Sequence, residues 1–194
     1  VHISTDMLFN GLSKKKYSES HKCDPINIYS KTKLEGENKV KSYSKTLIIR
    51  TNFFGFSKKN NMSFSDQILF EQENNKVSYL WKDVFFTPIY MNTLIYFANM
   101  LIKKKKFGIY NIVSDEKISK YHLGKKLLEA LFTKFKIQPT LFIKKNFVNR
   151  PNNMSLSNQK IKKLFLKDQK KLILKNQINE FITDYKFLKN AKSN

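Results

Sequence analysis

Tyr29 and Lys33 stand four residues apart in Tyr29-Ser30-Lys31-Thr32-Lys33. On a helix that spacing puts both side chains on one face. A tyrosine hydroxyl titrates near ~10 in model peptides and is a poor acid at neutral pH by itself. An ammonium one helical turn away favours the phenolate and brings such a pair toward the working range. The pair can then give a proton to a carbonyl oxygen while a hydride arrives at the carbon. The same spacing also fits an exposed tyrosine beside a surface lysine. Lysine is abundant in this chain, so the pair gains meaning only from its surroundings.

The elements that must position the pair are legible as an alternation. Val1–Ile3 is a short apolar run that ends in Ser4-Thr5-Asp6. Met7–Asp24 reads as polar and turn-like, with Asn10-Gly11 as its turn signal. Pro25 precedes a helix expected over about Asn27–Tyr43. Leu47–Ile49 reads as a buried strand ending at Arg50-Thr51. Further helices are expected over Ser63–Glu71, Met91–Ile102, Ile118–Phe132 (with Ser119 as N-cap), Gln159–Phe165 and Leu172–Phe187. Strands are expected over Val77–Trp81, Gly108–Val113 and Thr140–Ile143. Helices alternating with short apolar strands indicate an α/β fold with a parallel sheet. Trp81 and the phenylalanines are read as core.

Composition limits the classes of function. With 194 residues, 41% of them hydrophobic and 14% aromatic, the chain can bury a core. Cys23 is the single cysteine, so no internal disulfide can form, and a reducing, cytoplasmic setting is expected. The apolar stretch Thr93–Ile102 is too short to span a bilayer, and no membrane partner is expected. The formal charge of +22 invites a nucleic-acid reading. Against it, 35 lysines face only two arginines, Arg50 and Arg150. A protein that reads bases would use arginine for two-pronged contacts. The lysines are spread along the whole chain as solvated faces, and no specific nucleic-acid partner is expected. Lys103–Lys106 follows a helical stretch, where cations suit the helix dipole. His2, His21 and His122 show no metal-ligand spacing with Cys23 or each other, so no metal is expected.

Several segments, in order, resemble one family. Ile3-Ser4-Thr5-Asp6-Met7-Leu8-Phe9-Asn10-Gly11 is similar to the Ser-Thr-Asp-x-x-Phe-x-Gly segment of dTDP-4-dehydrorhamnose reductases, which are extended short-chain dehydrogenases. Tyr17-Ser18-Glu19 and Pro25–Glu37 resemble their helix with the catalytic Tyr/Lys pair. Leu47–Gly55 resembles the next strand and substrate loop. Gly108–Val113 and Ile118–Tyr121 resemble a later strand and helix, and Arg150–Ser157 the family's late Arg-Pro segment. Phe53 departs from the tryptophan often found there, which leaves the sugar open. Thr87-Pro88-Ile89-Tyr90 also departs slightly.

The resemblance implies roles. Tyr29 would be the proton donor to a keto oxygen. Lys33 would favour the phenolate and hold the nicotinamide ribose of NADPH or NADH. Thr5 would hydrogen-bond the reacting oxygen, with Asp6 beside the sugar and Phe53 packed on it. Arg150 would be a fork for the substrate's phosphates. Arg50 is read as an ordinary ion-pairing residue in preference to a substrate contact. The implied organisation is the C-terminal part of a Rossmann domain over residues 1–60. Residues 61–194 would be mainly a small α/β substrate-binding lobe, with 84–114 returning to the Rossmann sheet. The implied activity is NAD(P)H-dependent reduction of a 4-keto-6-deoxy sugar nucleotide in nucleotide-sugar and cell-surface polysaccharide biosynthesis. An epimerase or dehydratase of the same superfamily, or a non-catalytic sugar-nucleotide-binding or regulatory subunit, are the alternatives, and a homo-oligomer is compatible with each. The glycines at 11, 36, 55, 108 and 124 are too scattered for a dinucleotide-binding turn. The expectation is therefore that the cofactor-binding first half lies outside this chain, and that the chain alone is inactive.

Overall fold

The computed structural model describes residues 1–57, 62–143 and 149–193. The boundary expected between residues 60 and 61 lies outside the described residues. Strands β1 (His2–Ile3), β2 (Leu47–Arg50) and β7 (Gly108–Asn111) form a parallel sheet in the order β1-β2-β7. Ile3 lies opposite Ile49, and Arg50 opposite Asn111. Helix α1 (Ile28–Lys41) connects β1 to β2, the crossover that a parallel pair requires. All four residues of β2 are buried, as befits a central strand covered on both faces. One cover is α3 (Met91–Lys103), whose Leu94, Phe97 and Leu101 pack on Leu47 and Ile49. On the other side α1 approaches so closely that a Cβ at Gly36 would lie 3.2 Å from the His2 ring.

The rest of the chain builds a second core beside this sheet. β3 (Phe53–Phe54) pairs in parallel with β6 (Ile89–Tyr90), and β4 (Ser78–Trp81) with β9 (Ile137–Thr140). β5 (Phe85–Phe86) runs antiparallel to β8 (Ile118–Ser119). Helices α2 (Phe64–Glu73), α4 (Lys120–Leu131) and α6 (Leu174–Ser193) enclose Phe54, Phe86, Leu123, Leu127 and Phe181. A short α5 (Gln159–Leu164) and a 3-10 turn at Leu166–Leu172 return the chain to the first core, where Ile161, Phe165 and Leu172 are buried. Among the described residues no helix is long and apolar enough to cross a membrane.

Four sequence expectations change. The strand expected at Thr140–Ile143 lies at Ile137–Thr140, paired with β4 despite Pro139, which an edge strand tolerates. Ile118 and Ser119 belong to β8, and the helix starts at Lys120 with Ser119 as its N-cap. Met7–Asp24 lacks regular structure but is not merely a polar turn. Leu8, Phe9 and Tyr17 form a third small core with Val113 and Leu156, and the Phe9 and Tyr17 rings stack at 4.2 Å. The aromatic residues are not all core either, since Phe53, Phe70, Phe107 and Phe187 are exposed.

Candidate active site

The carboxyl ends of β1 and β2 open into a cleft of about 570 Å³. Ligands of open parallel sheets bind at this end. Ile3 to Met7 form its floor as they leave β1, and Thr51 to Phe53 one side as they leave β2. The first turns of α1 contribute Tyr29 and Lys33, and Asn149 and Arg150 close the remaining side. Tyr29, Lys33, Thr5, Asp6, Phe53 and Arg150, far apart in sequence, thus line one cleft.

Local chemistry fixes the start of α1. Asn27 is the N-cap: its Oδ1 accepts the Ser30 N–H at 2.8 Å, while the Ser30 Oγ accepts the Asn27 N–H at 3.3 Å. This capping box satisfies helix donors that would otherwise be orphaned. The Asn27 side-chain amide also donates to the Asn149 carbonyl at 2.8 Å. One side chain therefore sets the first turn of the Tyr29 helix and ties it to the Arg150 segment. Tyr29 is half exposed. The Lys33 ammonium donates to the Ile3 carbonyl at 2.6 Å.

Thr5 and Asp6 are buried. The Thr5 hydroxyl accepts the Met7 N–H at 3.2 Å and directs its proton to the Asp6 Oδ1 at a long 3.3 Å. The other Asp6 oxygen accepts from the Asn52 side chain at 2.8 Å. Burial pushes the Asp6 carboxyl up to about 6, against the hydrogen bond from Asn52 and the charge of Lys120. The Arg150 guanidinium lies 5.5 Å from the centre of the Trp81 ring, and Phe53 is exposed at the cleft side. Arg50 lies outside the cleft lining. It is buried and holds both Glu37 oxygens, at 2.9 and 2.7 Å.

Sequence reasoning missed Asn27 and Asn149, which also line the cleft. Asn27 carries a signal in hindsight, an Asn-x-x-Ser pattern just after a proline. Asn149, in a segment with no periodic pattern, carries none. The residues present fit the ribose end of a nicotinamide cofactor, since a hydroxyl and an ammonium one turn apart open together into the cleft. Among the described residues no cluster of His, Cys, Asp and Glu could hold a metal.

Known proteins resemble this arrangement. Residues 1–187 match the model of the RmlD substrate binding domain. A dTDP-4-dehydrorhamnose reductase of Aggregatibacter actinomycetemcomitans is 30% identical over 128 residues, covering 62% of this chain and 43% of the relative. The chain spans less than half the length of the curated relatives that it matches over most of its own length. The crystal structure of a dTDP-4-dehydrorhamnose reductase from Clostridium acetobutylicum superimposes with a TM-score of 0.83 at 24% identity, over 95% of this chain and 65% of that one. Another, from Bacillus anthracis in complex with NADP, gives 0.75 at 27% identity over 84% and 57%. The sheet thus has the architecture of Rossmann-type reductases, and the chain belongs to the RmlD substrate binding domain family.

Proposed function

We propose that this chain forms the substrate-binding and proton-donating part of an NAD(P)H-dependent reductase of 4-keto-6-deoxy sugar nucleotides, acting in the cytoplasm. The observation that carries the reading is the convergence of Tyr29, Lys33, Thr5, Asp6, Phe53 and Arg150 on one cleft at the carboxyl ends of β1 and β2. When bound, NADPH or NADH supplies the hydride. Tyr29 gives its hydroxyl proton to the keto oxygen, and Lys33 holds the ribose and favours the phenolate left behind. Thr5 can turn its weakly held proton to that oxygen while still accepting the Met7 N–H. Asp6 accepts from sugar hydroxyls, Phe53 packs on the sugar ring, and Arg150 pairs with the diphosphate. In this reading residues 1–60 belong to the Rossmann domain, and most of 61–194 to the substrate lobe.

The test uses the complete enzyme that contains this chain. Consumption of NADPH should depend on a 4-keto-6-deoxy sugar nucleotide and should collapse in Tyr29→Phe. Turnover without net NADPH consumption would assign the cleft to an epimerase or dehydratase. Tight sugar-nucleotide binding without turnover would make the protein a binding subunit.

A further inference from the structure

The carboxamide of Asn27 uses both of its ends. The residue is buried, at 8% exposure. Its Oδ1 accepts the Ser30 N–H and the Ser30 hydroxyl, both at 2.8 Å. Its Nδ2 donates to the Asn149 carbonyl at 2.8 Å. Chemistry fixes this sense, because a backbone N–H can only donate and a carbonyl can only accept. Capping the helix needs the first of these bonds alone, and serine, threonine or aspartate would supply it as well. The bond to Asn149 needs a second polar atom that donates, which among the favoured caps only asparagine carries.

The second bond matters because of what it holds. From Asn152 onward the chain is fastened to β5: the Phe85 N–H donates to the Asn152 carbonyl at 2.7 Å, and the Met154 N–H to the Phe85 carbonyl at 2.8 Å. Pro151 packs against Gly11, where an added Cβ would come within 2.7 Å of it. Ahead of these points lies Arg150, its guanidinium 5.5 Å from the centre of the Trp81 ring. The Asn149 carbonyl is the next fixed point, and it is fixed from α1. Asn149 and Arg150 line the cleft, as do Asn27 and Tyr29. Tyr29 stands on the helical turn that Asn27 caps.

We propose that Asn27 is a positioning residue of this cleft: its carboxamide fastens the Asn149–Arg150 segment to the first turn of the Tyr29 helix, so that Arg150 is seated on one wall before an anionic ligand arrives. A cation held in place beforehand spares the ordering that the ligand would otherwise have to bring about. Losing this hydrogen bond while keeping the cap should therefore weaken ligand binding and leave the helix, with its Tyr29, in place. That the ligand is a sugar nucleotide, with its diphosphate on Arg150, rests on the reductase reading, whereas the bond between the two segments does not.

Asn27→Ser and Asn27→Asp separate the two roles. Each supplies a favoured N-cap, but serine is too short to reach Asn149 and an ionised aspartate has no proton to give. In NMR spectra of the 194-residue chain, the Ser30 amide signal should stay near its wild-type position in both variants. The Asn149 ¹³C carbonyl signal should move upfield as it loses its donor. An Asn149 signal that stays in place in both variants would overturn the proposal. A measurement on the wild type is independent of how the variants fold. One Asn27 carboxamide proton should exchange with water at least about tenfold more slowly than in an unfolded peptide, and free exchange would overturn the proposal equally. Neither measurement needs a ligand, so their failure is distinct from failure of the reductase reading. In the complete enzyme, calorimetry with thymidine diphosphate should show binding to Asn27→Ser weakened several-fold, up to about tenfold for one neutral hydrogen bond. The KM for NADPH should keep its wild-type value, and kcat should fall by less than the affinity. Asn27→Ala, which loses the cap as well, should lower kcat further. Wild-type affinity in Asn27→Ser would overturn the seating of Arg150.

Discussion

The Lys33 ammonium donates to the Ile3 carbonyl at 2.6 Å, across the edge of the sheet. The Ser4 N–H bonds Ile49 of β2 at 2.7 Å. The carbonyl of the same peptide unit must therefore point the other way, off the edge of β1. Lys33 covers that unpaired acceptor, which anchors the second turn of α1 beside the floor of the cleft.

Tyr29 and Lys33 should separate in kinetics. In the complete enzyme Tyr29→Phe is expected to lower kcat by a factor on the order of 10²–10⁴, with sugar-nucleotide affinity little changed. Lys33→Met is expected to raise KM for the cofactor as well as lower kcat, since in the proposed mechanism one ammonium serves both ribose and hydroxyl. Steady-state kinetics with ligand-binding measurements on both variants decide the matter. A Phe variant with near-normal kcat removes Tyr29 as the acid, and a Met variant with unchanged KM leaves Lys33 as an edge cap alone.

The Glu37–Arg50 pair should behave as a structural clamp. Both side chains are buried, and the pair joins α1 to β2. Burial works to raise the Glu37 carboxyl, but the hydrogen bonds and charge of Arg50 outweigh it and hold the group below the usual glutamate range. A lowered carboxyl contributes stability that is fully present above its unfolded value, near ~4.3, and is lost as pH falls through the folded value. Arg50→Met strands a buried carboxylate and is expected to cost about 3 kcal/mol at pH 7. Urea unfolding of this variant should show a smaller deficit at pH 4, where Glu37 can protonate in the variant. An equal deficit at both values would mean that lost packing alone is responsible.

Gly11 couples the floor loop to the Arg150 segment. Its φ is +82°, and a Cβ there would lie 2.7 Å from that of Pro151. Gly11→Ala is expected to cost more than about 1–2 kcal/mol, the left-handed backbone adding to the clash. Because Pro151 adjoins Arg150, the variant should also weaken diphosphate binding. Thermal unfolding with nucleoside-diphosphate titration checks both, and an alanine variant of wild-type stability would contradict the geometry.

The sequence was informative where the determinants are local. The four-residue spacing of Tyr29 and Lys33, the apolar run at Leu47–Ile49 and the polar segment Ser4-Thr5-Asp6 each announce their element, and the parallel sheet follows from their alternation. Cleft residues tied by distant partners were less visible. Nothing near Asn27 in sequence says that Asn149 meets it across 122 positions, or that Asn52 meets Asp6 across 46. The same holds for β9, whose pairing with β4 overrides the poor strand propensity of a segment containing Pro139. Leu8 and Phe9 look like turn residues until Leu156 and Val113 come to cover them.

The 194-residue chain alone is expected to bind NADPH only weakly, no tighter than about 1 mM, or some 4 kcal/mol. A dinucleotide's pyrophosphate needs several backbone N–H groups from a tight glycine turn, aimed with a helix N-terminus. The five glycines cannot provide it. Gly36 and Gly124 lie inside α1 and α4, and Gly11 is pressed against Pro151. Gly108 opens β7, with its N–H given to the Thr46 carbonyl. Gly55 gives its N–H to Ser65, and its carbonyl accepts from Ser63 and Ser65. In the proposed reading Tyr29 and Lys33 hold only the ribose end. The formal charge of +22 will attract any polyanion, so the titration belongs at about 0.15 M salt, where long-range attraction is screened within about 8 Å. NADPH fluorescence, with free pyrophosphate as competitor, gives the constant. Micromolar affinity that survives this salt would mean that the chain builds a pyrophosphate site from residues other than its glycines.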